Sequence, residues 1–231
     1  MTLLLGLPSK GRLMEKSFDW FGKAGLRFER EGSNREYAFQ TNGLRGVQPV
    51  LLSAGEIPRE LAAGRIHLGV TGSDMVRERI PDWPSTVEDV TGMGFGRADL
   101  VLAVPGCWID VDSLDDLDAV AASFRAKHGF RLRIATKYHR LVREFLRDFG
   151  VANYQLMDSQ GATEGVVKNG TAECVADITS TGETLRANHL KVLSDGLIHS
   201  SQATLFRSRT ADWTTAKSVL EVLAARLGLP V

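Results

Sequence analysis

The sequence predicts an α/β fold with mostly parallel strand pairing. Short apolar runs of strand length alternate with helical patterns along most of the 231 residues, the order expected when helices carry the chain between parallel strands. The composition, 43% hydrophobic and 24% charged, is that of an ordinary globular chain and excludes disordered and fibrous classes. The length suits one large core or two smaller lobes.

The first strand is Leu3 to Leu7; basic residues follow this short apolar run rather than precede it, so it reads as a strand and not a leader peptide. A helical pattern covers 11–24, followed by a strand at 47–52, a helix at 56–63, a strand at 66–70 and a helix at 73–80. Strand-like runs at 99–104, 132–136, 153–157 and 174–178 then alternate with helical patterns at 113–128, 137–149, 163–169 and 182–188. A long apolar run near 190–207 comes next. Trp213, Ala216, Leu220, Leu223, Ala224 and Leu227 keep a helical period that stops at Gly228, ahead of Pro230. Val104-Pro105-Gly106 marks the chain leaving one lobe, and the 190–207 run marks its return. The expected lobes are 1–104 with 197–231, and 105–196.

Lys plus Arg equals Asp plus Glu at 28 each, so no global field favours nucleic acid, and a polyanionic ligand must be held by a local basic cluster. No apolar stretch approaches a membrane span. Cys107 and Cys174 match neither metal nor redox spacing, which points to a reduced, cytoplasmic protein. His67, His128, His139, His189 and His199 show no metal-ligand spacing, and no serine lies in a nucleophile elbow.

Chemistry concentrates in Glu164 to Leu185, EGVVKNGTAECVADITSTGETL, where a strand carrying Asp177 runs into a loop of small hydroxyl residues. Gly182 permits a tight turn and close ligand approach, and amides from Ser180 to Thr184, Glu183 included, can converge on one anion. Thr179, Ser180, Thr181 and Thr184 add hydroxyls. Asp177 at the strand end suits sugar hydroxyls rather than phosphate. A phosphorylated ribose offers both groups together.

Read in full, this segment resembles the signature of the ATP phosphoribosyltransferase family through Glu164, Gly170, Ala172, Val175, Asp177, Ile178, Thr181, Gly182, Thr184 and Leu185. Further blocks fall in that family's order: Gly6 to Leu13, Gly55 to Pro58, Leu68 to Asp74, Arg133 to Tyr138, and Ala187-Asn188. The resemblance implies a two-lobed fold similar to type II periplasmic binding proteins, with the active site in the interlobe cleft. It implies condensation of ATP with phosphoribosyl pyrophosphate to N1-(5-phosphoribosyl)-ATP and pyrophosphate, the first step of histidine biosynthesis. Mg2+ is expected on the pyrophosphate, with no protein metal site. The chain resembles the family's short form, which implies a regulatory subunit resembling histidyl-tRNA synthetase and a homodimer within a hetero-oligomer.

Residue by residue, Lys10 and Arg12 flank Gly11 where the first strand turns into its helix, a position that faces the ligand crevice in open α/β sheets. They are candidates to grip pyrophosphate or the ATP phosphates. Arg35 aligns with an arginine that reaches the leaving group in similar enzymes. Ser53 departs from the family, which often has arginine there; Arg45, Arg59 or the partner can substitute. Lys137 and Tyr138 are candidates for a phosphate contact and an adenine-stacking ring, and Glu164 for a ribose contact or for orienting the loop. The competing readings are a solute-binding or effector-sensing module and an inactive nucleotide-binding paralogue.

Overall fold

The structure, a computed structural model, describes residues 2–30, 39–159, 161 and 163–229. Along the chain the elements are β1 (Leu3–Pro8), α1 (Gly11–Lys23), β2 (Arg27–Arg30), β3 (Phe39–Asn42), β4 (Val47–Leu52), α2 (Ile57–Ala62), β5 (Leu68–Gly72), α3 (Ser73–Arg79), α4 (Trp83–Thr86) and β6 (Val87–Gly92). They continue as β7 (Ala98–Pro105), α5 (Leu114–His128), β8 (Leu132–Thr136), α6 (His139–Asp148), β9 (Tyr154–Asp158), a 3-10 turn at Thr163–Gly165, and β10 (Cys174–Thr179). The last elements are α7 (Glu183–Ala187), β11 (Leu190–Ser201), β12 (Ala203–Ser208) and α8 (Lys217–Leu227). The alternation expected for an α/β chain is present, but the mostly parallel pairing is not: among the described residues four strand pairs are parallel and five antiparallel, because β7 and β12 each run against both of their neighbours. No helix among the described residues is long and apolar enough to cross a membrane.

The chain divides into two units, Met1–Gly96 with Gln202–Val231, and Arg97–Ser201. The first holds a five-stranded sheet in the order β4-β1-β5-β12-β6. β1 runs parallel to β4 and β5, and β12 runs antiparallel to β5 and β6. The sheet is covered on both faces, so its strands are nearly continuous in apolar residues. Adjacent residues of β12 show this: Leu205 packs with Leu5, Leu7, Phe21 and Leu223, while Phe206 packs with Ile57, Leu61 and Val76. α8 supplies Leu223 and Ala224 to the core and ends on Gly228 in the left-handed conformation, as its sequence predicts.

The second unit holds a sheet in the order β11-β7-β10-β8-β9. β10 is parallel to β8 and β8 to β9, whereas β7 is antiparallel to both β10 and β11. α5 starts with a capping box between Ser113 and Asp116 and stops at Gly129, φ 78°.

Three further expectations need correction. The break after Val104 falls eight residues too late, because β7 pairs along its length with β10 and β11 and so belongs wholly to the second unit; the chain crosses at Gly96–Arg97. The 190–207 run is two strands parted at Gln202, one in each sheet, which moves the return crossing from 197 to Ser201–Gln202. The helix expected over 163–169 shrinks to the 3-10 turn, since Thr171 N–H bonds back to Val166 O and Gly170, φ 68°, reverses the chain.

Candidate active site

In the second unit β8 and β10 run in the same direction and finish at the same sheet edge. Their register pairs Ala176 with Thr136, so the next residues, Asp177 and Lys137, meet there with Nζ 3.5 Å from Oδ1. The Asp177 side chain is 16% exposed and that of Lys137 40%. Asp177 Oδ1 also accepts the Ile178 N–H at 2.8 Å. The carboxylate is thus held at the strand end with acceptor capacity left for a ligand.

The loop beyond it is built from its own hydroxyls. Thr179 Oγ1 accepts the Gly182 N–H at 2.8 Å, and Thr181 Oγ1 accepts the Glu183 N–H at a long 3.4 Å. Of the amides from Ser180 to Thr184 expected to converge on an anion, those of Gly182 and Glu183 already have partners within the loop. The hydroxyls that accept them use a lone pair and keep their protons to donate. Ser180 Oγ donates to Arg97 O at 3.2 Å, and Arg186 Nη2 donates to Thr181 O at 3.0 Å. Gly182 has φ 73°, a backbone that favours glycine, and the Arg186 guanidinium lies beside it, with Nη1 2.9 Å from where a Cβ would stand. Leu185 anchors the following turn in the core. His189 adopts φ 57°, the left-handed backbone that favours glycine.

The other end of β10 is clamped by Glu173, which accepts Arg133 N–H at 2.8 Å, Nε at 3.2 Å and Nη2 at 2.6 Å. Burial pushes the Glu173 carboxyl up, but the hydrogen bonds from Arg133 outweigh it and hold the group below its ordinary value.

Tyr138 does not serve as a stacking ring. It is 1% exposed, its N–H donates to Thr136 Oγ1 at 2.9 Å, and its ring lies in the core with no face open to an adenine. Glu164 lies in the 3-10 turn, and its side chain is outside the described set. Arg35 lies outside the described residues.

In the first unit the parallel strands β1, β4 and β5 also end together. Lys10 precedes α1 in extended backbone and Gly11, φ 73°, makes the turn, leaving Lys10 and Arg12 exposed. Ser9 N–H donates to Leu52 O, which brings the turn after β1 beside the turn after β4. In that second turn Ser53 N–H donates to Glu56 Oε2 at 2.8 Å. Bonds from the Ser53 side chain, then its amide, hold the Glu56 carboxyl below its ordinary value. Arg59, on α2, follows the same strand end and is exposed. Arg45 precedes β4 and so lies at the opposite sheet edge, roughly 20 Å away at 3.3 Å per residue. It cannot stand in for the arginine missing at Ser53.

A family model described as HisG, ATP phosphoribosyltransferase, matches residues 53–228. The chain belongs to the ATP phosphoribosyltransferase family. It is a pentosyltransferase of the first step of histidine biosynthesis. An ATP phosphoribosyltransferase of Cereibacter sphaeroides is 69% identical over 231 residues, covering 100% of this chain and 98% of the relative. One of Mesorhizobium japonicum is 47% identical, covering 98% of this chain and 100% of the relative. One of Afipia carboxidovorans is 48% identical, covering 96% of this chain and 70% of the relative. Among solved structures, an ATP phosphoribosyl transferase (HisG:HisZ) complex from Thermotoga maritima superposes with TM-score 0.73 at 23% identity, over 98% of this chain and 96% of that one. A choline-binding protein of an ABC transporter follows at TM-score 0.54 and 12% identity, over 94% of this chain and 75% of that one; it shares the fold alone.

Within this transferase, sequence reasoning missed two groups that touch the loop, the Arg97 carbonyl and the Arg186 guanidinium. Arg97 carries no sequence signal. Arg186 does: it stands four residues after Gly182, one helical turn away.

Proposed function

We propose that this chain is the catalytic subunit of the short form of the family, joining N1 of the adenine of ATP to the anomeric carbon of phosphoribosyl pyrophosphate with release of pyrophosphate. The observation that carries the reading is the shared end of β8 and β10, where Asp177 stands beside a hydroxyl loop. Asp177 accepts hydrogen bonds from the ribose hydroxyls. Thr179, Ser180, Thr181 and Thr184 enclose the 5′-phosphate through their hydroxyls and the remaining amides, with Gly182 and Glu183 forming the turn of the same loop. Lys137 contacts phosphate, and Glu164 orients ribose or loop. Lys10, Arg12 and Arg35 hold pyrophosphate or the ATP phosphates, with Arg59 in place of the arginine absent at Ser53.

Departure of pyrophosphate builds positive charge on the ribose and negative charge on the leaving group, so catalysis comes from positioning and electrostatics. Mg2+ arrives on the pyrophosphate as part of the substrate and neutralises it as it leaves. Among the described residues no group of three His, Cys, Asp or Glu side chains could hold an ion. The likeness to the HisG:HisZ complex from Thermotoga maritima supports a HisZ-like regulatory partner, resembling histidyl-tRNA synthetase, around a homodimer of this chain. The free thiols of Cys107 and Cys174 fit a reducing cytoplasm. The test is pyrophosphate release and phosphoribosyl-ATP formation from ATP, phosphoribosyl pyrophosphate and Mg2+, with and without the partner. Product that rises with the partner is expected; folded, nucleotide-binding protein that makes none in either condition refutes the reading.

A further inference from the structure

The loop from Thr179 to Thr184 contains no cation and one carboxylate, Glu183, and Asp177 adds a second negative charge just before it. A sugar phosphate brings close to two more. Lys137, at the neighbouring strand end, is engaged with Asp177 at 3.5 Å. α7 is five residues long, too short for an appreciable macrodipole. Hydroxyls, amides and a Lys137 shared with Asp177 leave most of that charge uncompensated.

We infer that Arg186 supplies the missing charge and is a binding residue for the 5′-phosphate. This rests on the phosphoribosyl reading above. Both terminal nitrogens of the guanidinium lie against the loop. Nη2 donates to Thr181 O at 3.0 Å, and Nη1 occupies the space that a side chain at position 182 would fill. The backbone reinforces this, with Arg186 N–H donating to Gly182 O at 3.0 Å. The cation thus lies directly against the turn at Gly182. A guanidinium has five N–H donors in a rigid fork. One is committed to the Thr181 carbonyl and orients the group, leaving others for phosphate oxygens. Arginine at this distance from the loop strengthens phosphate binding through charge-assisted bonds, which are about twice as strong as neutral ones.

The test uses the full chain with its partner, titrated with ribose 5-phosphate and assayed for the KM of phosphoribosyl pyrophosphate. Arg186→Gln removes the charge while keeping a polar amide, and Arg186→Lys keeps the charge. Arg186→Gln is expected to weaken ribose 5-phosphate and raise that KM by roughly 10- to 100-fold, with the KM for ATP and the thermal midpoint unchanged. Its ribose 5-phosphate binding should also depend less on salt. Arg186→Lys should recover part of the loss, since it keeps the charge without the fork. Arg186→Gln binding like wild type, with only Arg186→Ala weakened, overturns the inference and leaves Arg186 a tether for the loop carbonyl. Arg186→Lys as weak as Arg186→Gln overturns it too, even if one variant is destabilised. Wild-type protein indifferent to ribose 5-phosphate overturns both this inference and the phosphoribosyl reading, and is recognised without any variant.

Discussion

Replacing Asp177 by Asn or Ala separates ligand binding from folding at the centre of the proposed site. In the free protein the carboxylate has two partners, Lys137 Nζ at 3.5 Å and the Ile178 N–H at 2.8 Å. The ion pair involves a lysine 40% exposed, so solvent screening limits it to about 0–1 kcal/mol. Asn keeps an oxygen for the Ile178 amide, so Asp177→Asn should cost under about 1 kcal/mol of stability. With ribose bound, the same carboxylate would accept hydrogen bonds from uncharged hydroxyls in a partly buried place. Each such charged bond contributes about 1.5–3 kcal/mol, which is roughly 10- to 150-fold in kcat/KM. Asp177→Asn should therefore lower kcat/KM for phosphoribosyl pyrophosphate by at least about 10-fold, and Asp177→Ala by more. Steady-state kinetics with each substrate varied, alongside thermal unfolding, measures both effects. Unchanged kinetics with phosphoribosyl pyrophosphate, or a loss matched by an equal loss of stability, would refute the ribose assignment.

Glu173→Gln should cost about 2 kcal/mol, because three bonds from Arg133 meet a carboxylate that is 14% exposed. The Glu173 carboxyl is held below its ordinary value, so its contribution is full above the unfolded carboxylate range near pH 4.3 and disappears as pH falls through the lowered folded value. Urea unfolding at neutral and acid pH should show the wild type losing this increment and Glu173→Gln lacking it throughout. Tyr138→Phe should leave the KM for ATP unchanged, whereas Tyr138→Ala should destabilise by about 3–5 kcal/mol, read by denaturant unfolding; a raised KM in the phenylalanine variant would restore a ligand role. Burial pushes the Cys174 thiol well up while Cys107 is exposed, so iodoacetamide should label Cys107 in the native protein and Cys174 only on unfolding, as peptide mass mapping would show.

Much of this protein was legible in its residues. Apolar runs in Leu3–Leu7 and 132–136, and helical periods such as the one ending at Gly228, report which faces must leave water, and they placed most elements in order. Asp177 before a Thr-Gly-x-Thr loop announced a sugar and a phosphate, since few other ligands need a carboxylate and an anion cradle together. Periodicity does not say which sheet a strand joins, which is why the 190–207 run read as one strand and the crossings were misplaced. It does not say which way an amphipathic ring turns either, and only packing put Tyr138 in the core. Strand direction, set by long-range pairing, moved Arg45 to the far edge of the sheet and kept Arg59 at the near one. Sequence by itself determined the family, the α/β order and the residue types of the loop, because these follow from local pattern and chemistry. Tertiary structure alone decided which groups meet: the pairing of Asp177 with Lys137, the tie from Ser180 to Arg97, and the guanidinium of Arg186 against Gly182. Such meetings depend on strand register and on the space a missing side chain leaves.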